Sequence, residues 1–234
     1  MCKRICMILF MLFVFAGCTM QGVGVENVNS IDDGIASYYN AYELIDRDKV
    51  LTTVSIADMQ GNVNDALNNF EYADHVVIGR VLSIDGGSNV NEYTGGYTYP
   101  YTYGTVEVLK EYKGSFEDNL ISYVRVGGII SYEDYYSSLS VAQKEKRNYL
   151  GNEPEYVERY FEDDIKIEPG KVYLMYLNES ASKENHYAIV FLQGGLREID
   201  ETSVVDSADS QLRVYNNCEQ KWEKLEDVLP NIDK

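Results

Sequence analysis

His75-Val-Val-Ile-Gly-Arg-Val-Leu-Ser-Ile84 is the stretch on which the fold class turns. Its β-branched side chains favour a pleated strand. Its apolar content is too continuous for a strand with one wet face, which would alternate apolar with polar positions. The segment therefore predicts a strand well inside a sheet, and Gly79 within it points to a bend or a close backbone approach, as at a barrel corner.

Working outward, Asp85 to Asn91 reads as a loop, and a long strand is expected from Tyr99 to Tyr112, closed by Lys113-Gly114. Leu120 to Val126 is a third strand, ending at Gly127-Gly128. After Pro169-Gly170, Lys171-Val-Tyr-Leu-Met-Tyr-Leu177 is a fourth, apolar on both faces, and His186 to Leu192 is a fifth, ending at Gln193-Gly194-Gly195. Shorter extended pieces are expected at Leu196 to Ile199 and Leu212 to Tyr215. Between the third and fourth strands, residues 131–168 form an acidic insertion with helical stretches expected around Leu139 to Tyr149 and Pro154 to Phe161. Three strands, a helical insertion and two strands is the chain order of the OB-fold, a five-stranded Greek-key barrel, although an open β-sandwich reads similarly. The fold class expected is thus mainly β with accessory helices, an α+β arrangement over residues 72–200.

Residues 35–71 are expected to be a helical extension. Tyr38, Ala41, Tyr42 and Ile45 fall at helical spacing within Ala36 to Lys49, and Val63, Ala66, Leu67 and Phe70 repeat it, with Asn62 placed to cap the second helix. At the other end, residues 201–234 form a C-terminal extension. Trp222, Leu225 and Val228 recur at helical spacing there and predict a terminal helix over Glu219 to Leu229.

The N-terminal segment has a different character. Lys3 and Arg4 precede Ile5 to Ala16, an uncharged and mostly apolar run. That run has the length of a signal-peptide core and is shorter than the roughly 20 residues a membrane-spanning helix needs. It ends in Phe15-Ala16-Gly17-Cys18, which resembles the bacterial lipoprotein signal, in which small residues precede a cysteine that takes a diacylglyceryl thioether before cleavage. The resemblance implies that residues 1–17 are removed and that Cys18 becomes a lipidated N-terminus on the outer side of the membrane. Phe15 departs from the aliphatic residue usual at its place. Polar, Gly- and Asn-containing residues 18–34 then read as a flexible tether.

This reading simplifies the cysteines. Cys2 and Cys6 leave with the signal, Cys18 is blocked by lipid, and Cys218 is left as the one free thiol, so the mature fold rests on its core with no intramolecular disulfide. A buried, inert thiol is the expectation for Cys218.

Composition narrows the functions. The 234 residues are 45% hydrophobic and 25% charged, enough to bury a sizeable core. Twenty Lys and Arg against thirty-eight Asp and Glu give a formal charge of −18. Such a field repels nucleic acid and anionic headgroups, and no basic stripe offsets it, so no nucleic-acid partner is expected.

Tyr72-Ala-Asp-His-Val-Val-Ile-Gly-Arg-Val81, Val106-Glu-Val-Leu-Lys-Glu-Tyr-Lys-Gly114, Gly170-Lys-Val-Tyr-Leu-Met-Tyr-Leu177 and Gln193-Gly194 resemble a group of bacterial lipoproteins. Their domain looks like an OB-type barrel, distantly similar to the netrin-like domain of tissue inhibitors of metalloproteinases. The resemblance covers about residues 72–200 and implies fold rather than chemistry. Animal netrin-like domains rely on disulfides and an N-terminal cysteine that this mature chain lacks, so protease inhibition does not carry over.

No catalytic residue emerges from the sequence. His75 and His186 stand at the openings of predicted strands, outside any HExxH, CxxC or Ser/His/Asp pattern. Asp85 to Glu92 and Glu162-Asp163-Asp164 offer hard oxygen ligands but lack the spacing of an EF-hand, so neither a metal nor another cofactor is expected. The most distinctive surface feature is Tyr97-Thr-Tyr-Pro-Tyr-Thr-Tyr103. In an extended chain Tyr97, Tyr99, Tyr101 and Tyr103 share one face. Pro100 places that row at an edge or in a projecting arm, where phenols can stack on sugars or dock a protein. The expectation is a non-enzymatic barrel that binds an envelope protein or glycan from a lipid anchor. The alternatives are a carboxylate-based envelope hydrolase, for which a cleft with buried, raised-pKa carboxylates would speak, and a structural accessory subunit.

Overall fold

The structure is a computed structural model and describes residues 37–56, 64–147, 154–162, 164–200 and 208–229. The expected signal segment, the tether, Phe15, Ala16, Gly17 and Cys18 lie outside these residues, as do Asn62 and Asp163. In chain order the strands are β1 (Tyr39–Asn40), β2 (Val50–Ser55), β3 (His75–Val90), β4 (Tyr97–Lys113), β5 (Leu120–Val126), β6 (Gly128–Ser131), β7 (Tyr156–Phe161), β8 (Val172–Glu179), β9 (Tyr187–Ile189), β10 (Leu196–Glu198), β11 (Arg213–Asn216) and β12 (Lys221–Lys224). The α-helices are α1 (Ala66–Tyr72), α2 (Tyr132–Ser138), α3 (Val141–Arg147), α4 (Leu192–Gly195) and α5 (Leu225–Val228).

The protein is mainly β, with several sheets. In the largest, β3 pairs antiparallel with β4, and β4 with β5. β5 runs parallel to β9, β9 antiparallel to β8, and β8 returns to pair antiparallel with β3. The sheet is therefore ring-like, with β1 and β10 added at β3 and β8.

The continuous apolar run of β3 follows from this arrangement, because both of its faces are covered. Val77, Val81 and Ile84 enter a core with Val106, Tyr123, Met175, Leu177 and Ile189, drawn from all five ring strands. Val76 and Ile78 face the other way and pack with Leu174, Tyr176, Leu212, Val214 and Leu225, so the C-terminal segment covers the outside of the sheet. Fully burying each such side chain contributes about 1.5–3 kcal/mol. The same two-sided burial accounts for the apolar run in β8. At Gly79 the β3–β4 register shifts, and a Cβ would stand 2.5 Å from Val106 Cγ1, so the close approach read from this glycine is present.

A second sheet has the order β2-β7-β6, with β2 parallel to β7 and β6 antiparallel to it. It corrects the helix expected over Pro154 to Phe161. Val157 is fully buried with Ile130 and Tyr135, and strands on both sides satisfy the backbone of this Tyr-, Val- and Phe-containing segment. The helical stretch around Leu139 to Tyr149 is represented by α3, and α2 was not expected.

Other expectations also fail for tertiary reasons. Of the helix expected over Ala36 to Lys49, the described residues 37–49 form no α-helix but β1 and two one-turn 3₁₀ helices, Ala41–Leu44 and Arg47–Lys49, capped by Asn40 and Asp46. Among the described residues of 35–71 an α-helix forms only at α1, whose cap is Asp65, accepting from Asn68 N at 3.0 Å. Asp85 to Asn91 is not a loop, because β3 runs on to Val90 against the long partner β4. Glu219 to Leu229 is a strand followed by a single helical turn. Trp222 lies opposite Tyr215 in the β11–β12 hairpin, with ring centroids 5.2 Å apart, so its apolar contact is made across strands.

Candidate functional site

Where the ring meets the β2-β7-β6 sheet there is a cleft of about 270 Å³. Its inner wall includes Ile84, Ile165 and Ile167, which belong to or pack against the ring's interior core, so the cleft opens at one end of that interior.

Tyr42, drawn from the N-terminal 3₁₀ turn, ties the wall together. Its hydroxyl lies 2.9 Å from Thr102 Oγ1, donates to Gly86 O at 3.2 Å, and accepts from Ile129 N at 3.1 Å. Burial raises the Tyr42 pKa. The neighbouring backbone has no room for side chains: a Cβ on Gly87 or Gly128 would stand 2.8 Å or 2.7 Å from that hydroxyl. Gly127, at φ +87°, makes the left-handed turn that carries the chain from β5 into β6. Tyr42→Phe is expected to cost about 1–3 kcal/mol in urea denaturation, because the Ile129 N–H and Gly86 carbonyl lose a shared partner. A cost under half a kilocalorie would show that water replaces the hydroxyl.

Charge is concentrated in this cleft. Arg125 stands two residues beyond the buried Tyr123 on β5 and so on the same face of the strand. It is 3% exposed and its Nη2 donates to Asp164 Oδ1, itself 5% exposed, and to Ile165 O at 3.3 Å. Burial pushes the Asp164 carboxyl above the ordinary range, outweighing the opposing pull of Arg125. Glu158, on β7, is also buried. It accepts from Lys166 Nζ at 2.6 Å and Thr52 Oγ1 at 3.2 Å, and lies 3.6 Å from Arg47. Arg159, next to Glu158 on β7 and so turned to the opposite face of the strand, donates from Nη2 to Ser55 Oγ at 3.0 Å and stacks over the Tyr99 ring at 4.6 Å.

The tyrosines do not form one exposed row. Tyr97 is exposed, Tyr99 and Tyr103 are half-buried, and Tyr101 is 4% exposed. Tyr101 donates to Val90 O at 2.8 Å, Tyr99 stacks on Phe161, and Tyr103 lies beside Lys183 and His186. Pro100 is not at a free edge, since its carbonyl accepts from Gly127 N at 2.7 Å. Bulges and the crossing of the second sheet over this end of β4 break the simple alternation that an isolated extended chain would have.

The histidines are set in aromatic surroundings, His75 stacked on Phe116 at 4.4 Å and His186 held by Glu184 O at 2.7 Å from Nδ1. Asp85 to Glu92 lies largely in β3 rather than in a ligand loop. Among the described residues no group of three or more His, Cys, Asp or Glu is positioned to hold a metal. Cys218 is exposed, which corrects the expectation of a buried thiol: it sits in the β11–β12 turn, its N–H bonded to Asn216 Oδ1 at 3.1 Å. Sequence reading passed over Arg125 and Glu158. The available signal was an arginine inside the otherwise uncharged strand Leu120-Ile-Ser-Tyr-Val-Arg-Val126.

No protein-family model, curated protein or solved structure matches the chain. Among the described residues, no helix is long and apolar enough to cross a membrane.

Proposed function

We propose that this chain is a bacterial lipoprotein, held to the outer side of the membrane through a lipid on Cys18, that displays a non-catalytic OB-like barrel for recognition of an envelope protein or glycan. The order β3-β4-β5-β9-β8, the parallel β5–β9 pair and the long connection between β5 and β8 support the OB-like Greek key. The anchor rests on the Phe15-Ala16-Gly17-Cys18 signal. The recognition reading is carried by one observation: the cleft at the ring's end is lined by charged groups that are held in place, Glu158 by three partners and Asp164 by Arg125. Fixed and paired charges suit orientation of a ligand.

The cleft thereby replaces the tyrosine row as the binding face. A second reading, a carboxylate-based hydrolase, draws on the same place, since Asp164 is buried with a raised pKa and Glu158 is buried nearby in the lining. The paired state of both carboxylates favours recognition.

Two measurements test the proposal. Metabolic labelling with a fatty-acid analogue is expected to mark the wild type and leave Cys18→Ala unlabelled. Label retained in the mutant refutes the anchor. Crosslinking on intact cells is expected to capture a defined protein or glycan with the wild type and to lose it with the cleft-rim variant Lys166→Glu. Capture unchanged by that variant removes the cleft from recognition.

A further inference from the structure

The second sheet has an open edge. In the order β2-β7-β6, β2 pairs with β7 on one side, and among the described residues no strand pairs with its other side. Alternate residues of a parallel ladder turn their backbone groups to the partner strand. Lys49 O accepts from Glu155 N and Ser55 O from Glu162 N, so Leu51, Thr53 and Ser55 are the residues of β2 turned to β7. Val50 N–H is taken by Arg47 O. The Val50 carbonyl and both backbone groups of Thr52 and Val54 are left along the outer edge. Thr52 is exposed, Val54 is 52% exposed, and Ile56, just beyond the strand, is 83% exposed.

An edge of this kind is a template for another strand, and proteins blunt it with Lys, Pro, a bulge or a covering element. Among the described residues β2 has none of these: Val50-Leu-Thr-Thr-Val-Ser-Ile56 is uncharged and mostly β-branched, and its register with β7 is unbroken. The outward residues Val50, Thr52 and Val54 read the same in both chain directions. We infer that this edge pairs antiparallel with β2 of a second copy of the chain, about a two-fold axis through Thr52. The two Thr52 residues then exchange both N–H···O bonds, and each Val54 N–H donates to the Val50 carbonyl of the other copy. Facing threonines and β-branched neighbours suit a cross-strand pair. Symmetry and charge select the occupant. A formal charge of −18 makes two copies repel over most of their surfaces, yet along Val50 to Ile56 no charged side chain is opposed. A basic peptide, which the overall charge would attract, finds no acidic side chain within that stretch. The seam is one strand from each copy, with Val54 and Ile56 as the apolar surface to be covered, so the dimer belongs with weak, reversible interfaces under about 1,200 Å².

This inference goes beyond the recognition reading and does not depend on it. The full chain, with its four cysteines changed to serine, is followed by sedimentation velocity as its concentration rises. A reversible shift from monomer to dimer is expected. Thr52→Lys sets two ammonium groups against each other on the axis and is expected to stay monomeric, with an unchanged circular dichroism spectrum because the side chain is exposed. Thr52→Cys in the same background gives a gain of signal. Facing Cα atoms in a hydrogen-bonded pair are about 5.5 Å apart, within disulfide range, so added oxidised glutathione is expected to yield a disulfide-linked dimer. Val54→Cys faces Val50 in this register and stands more than about 13 Å from its own counterpart, so it is expected not to link.

Sedimentation as a monomer at every concentration, self-association unchanged in Thr52→Lys, or linkage of Thr52→Cys no faster than that of Val54→Cys overturns the inference. In envelope extract, linkage of Thr52→Cys to a different protein in place of a second copy overturns it as well. If no dimer forms while crosslinked capture is still lost in Lys166→Glu, the paired edge falls and the recognition reading stands.

Discussion

Asp164→Ala is expected to destabilise the fold by about 3–5 kcal/mol at any pH between 5 and 8, while Arg125→Met costs that much near pH 8 and markedly less near pH 5. Both substitutions break the same buried pair, whose members are 3% and 5% exposed. The difference lies in what is orphaned. A guanidinium cannot shed its proton, so Arg125 without Asp164 stays charged in a buried site. A carboxyl can take up a proton, and Asp164 is already pushed above its ordinary 3.8 by burial.

An acid whose folded-state pKa is raised binds protons more tightly folded than unfolded, so the stability it lends is complete below the unfolded value and is lost as pH rises through the folded one. Removing Arg125 takes away the group that opposes this rise, which moves the folded value higher and makes the penalty grow with pH. Urea denaturation of both variants at pH 5 and pH 8 measures the effect. An Arg125→Met cost independent of pH, or a harmless Asp164→Ala, would mean that water reaches the pair and the burial argument fails.

The second large effect is expected at Gly104, on β4 opposite Ile84 and beside Tyr123. A Cβ there would enter the van der Waals shell of the Ser83 carbonyl and stand 3.0 Å from the Tyr123 ring. The obstacle is the backbone of β3, which at Ser83 is fixed by pairing with β4 on one side and β1 on the other, so it cannot turn away as a flexible side chain would. Gly104→Ala is expected to cost about 3 kcal/mol or more, at the upper end for overpacking. For a chain of this size that lowers the melting temperature by about 6–12 °C. Gly96→Ala is the control, because its nearest neighbour is the Thr94 side chain at 3.3 Å, and it is expected to change stability by under about 0.5 kcal/mol. Equal melting temperatures for the two variants would show that β3 and β4 part easily at Gly104.

The errors in reading the sequence share a cause. Pro154 to Phe161 and Glu219 to Leu229 are expected to be helical, yet each finds strand partners, β2 and β6 from far along the chain for the first and the hairpin neighbour β11 for the second. Asp85 to Asn91 has the glycines and asparagines of a loop. Those glycines are required instead where Ile129 O and the Tyr42 hydroxyl press against an extended backbone at Gly87. Local composition cannot separate a turn from a crowded strand when both need the absence of Cβ.

The candidate site was less legible still. Tyr97, Tyr99, Tyr101 and Tyr103 stood out by repetition, but repetition says nothing of what lies across the strand, and Tyr101 is spent on the Val90 carbonyl. Arg125 and Glu158 are ordinary residues in the sequence. They line one cleft only where β5 and β7 come together.

The sequence by itself determined the strands whose apolar character is continuous. His75 to Ile84 and Lys171 to Leu177 are buried on both faces, and burial of apolar surface depends on side-chain type alone, which any reader of the sequence can see. The closing pair between β5 and β9, the second sheet and the charged cleft were decided by tertiary structure. Hydrogen-bond pairing of strands and the pairing of buried charges depend on which groups meet across long separations in the chain, such as Thr52 with Glu158 and Arg125 with Asp164, and no local pattern encodes that choice.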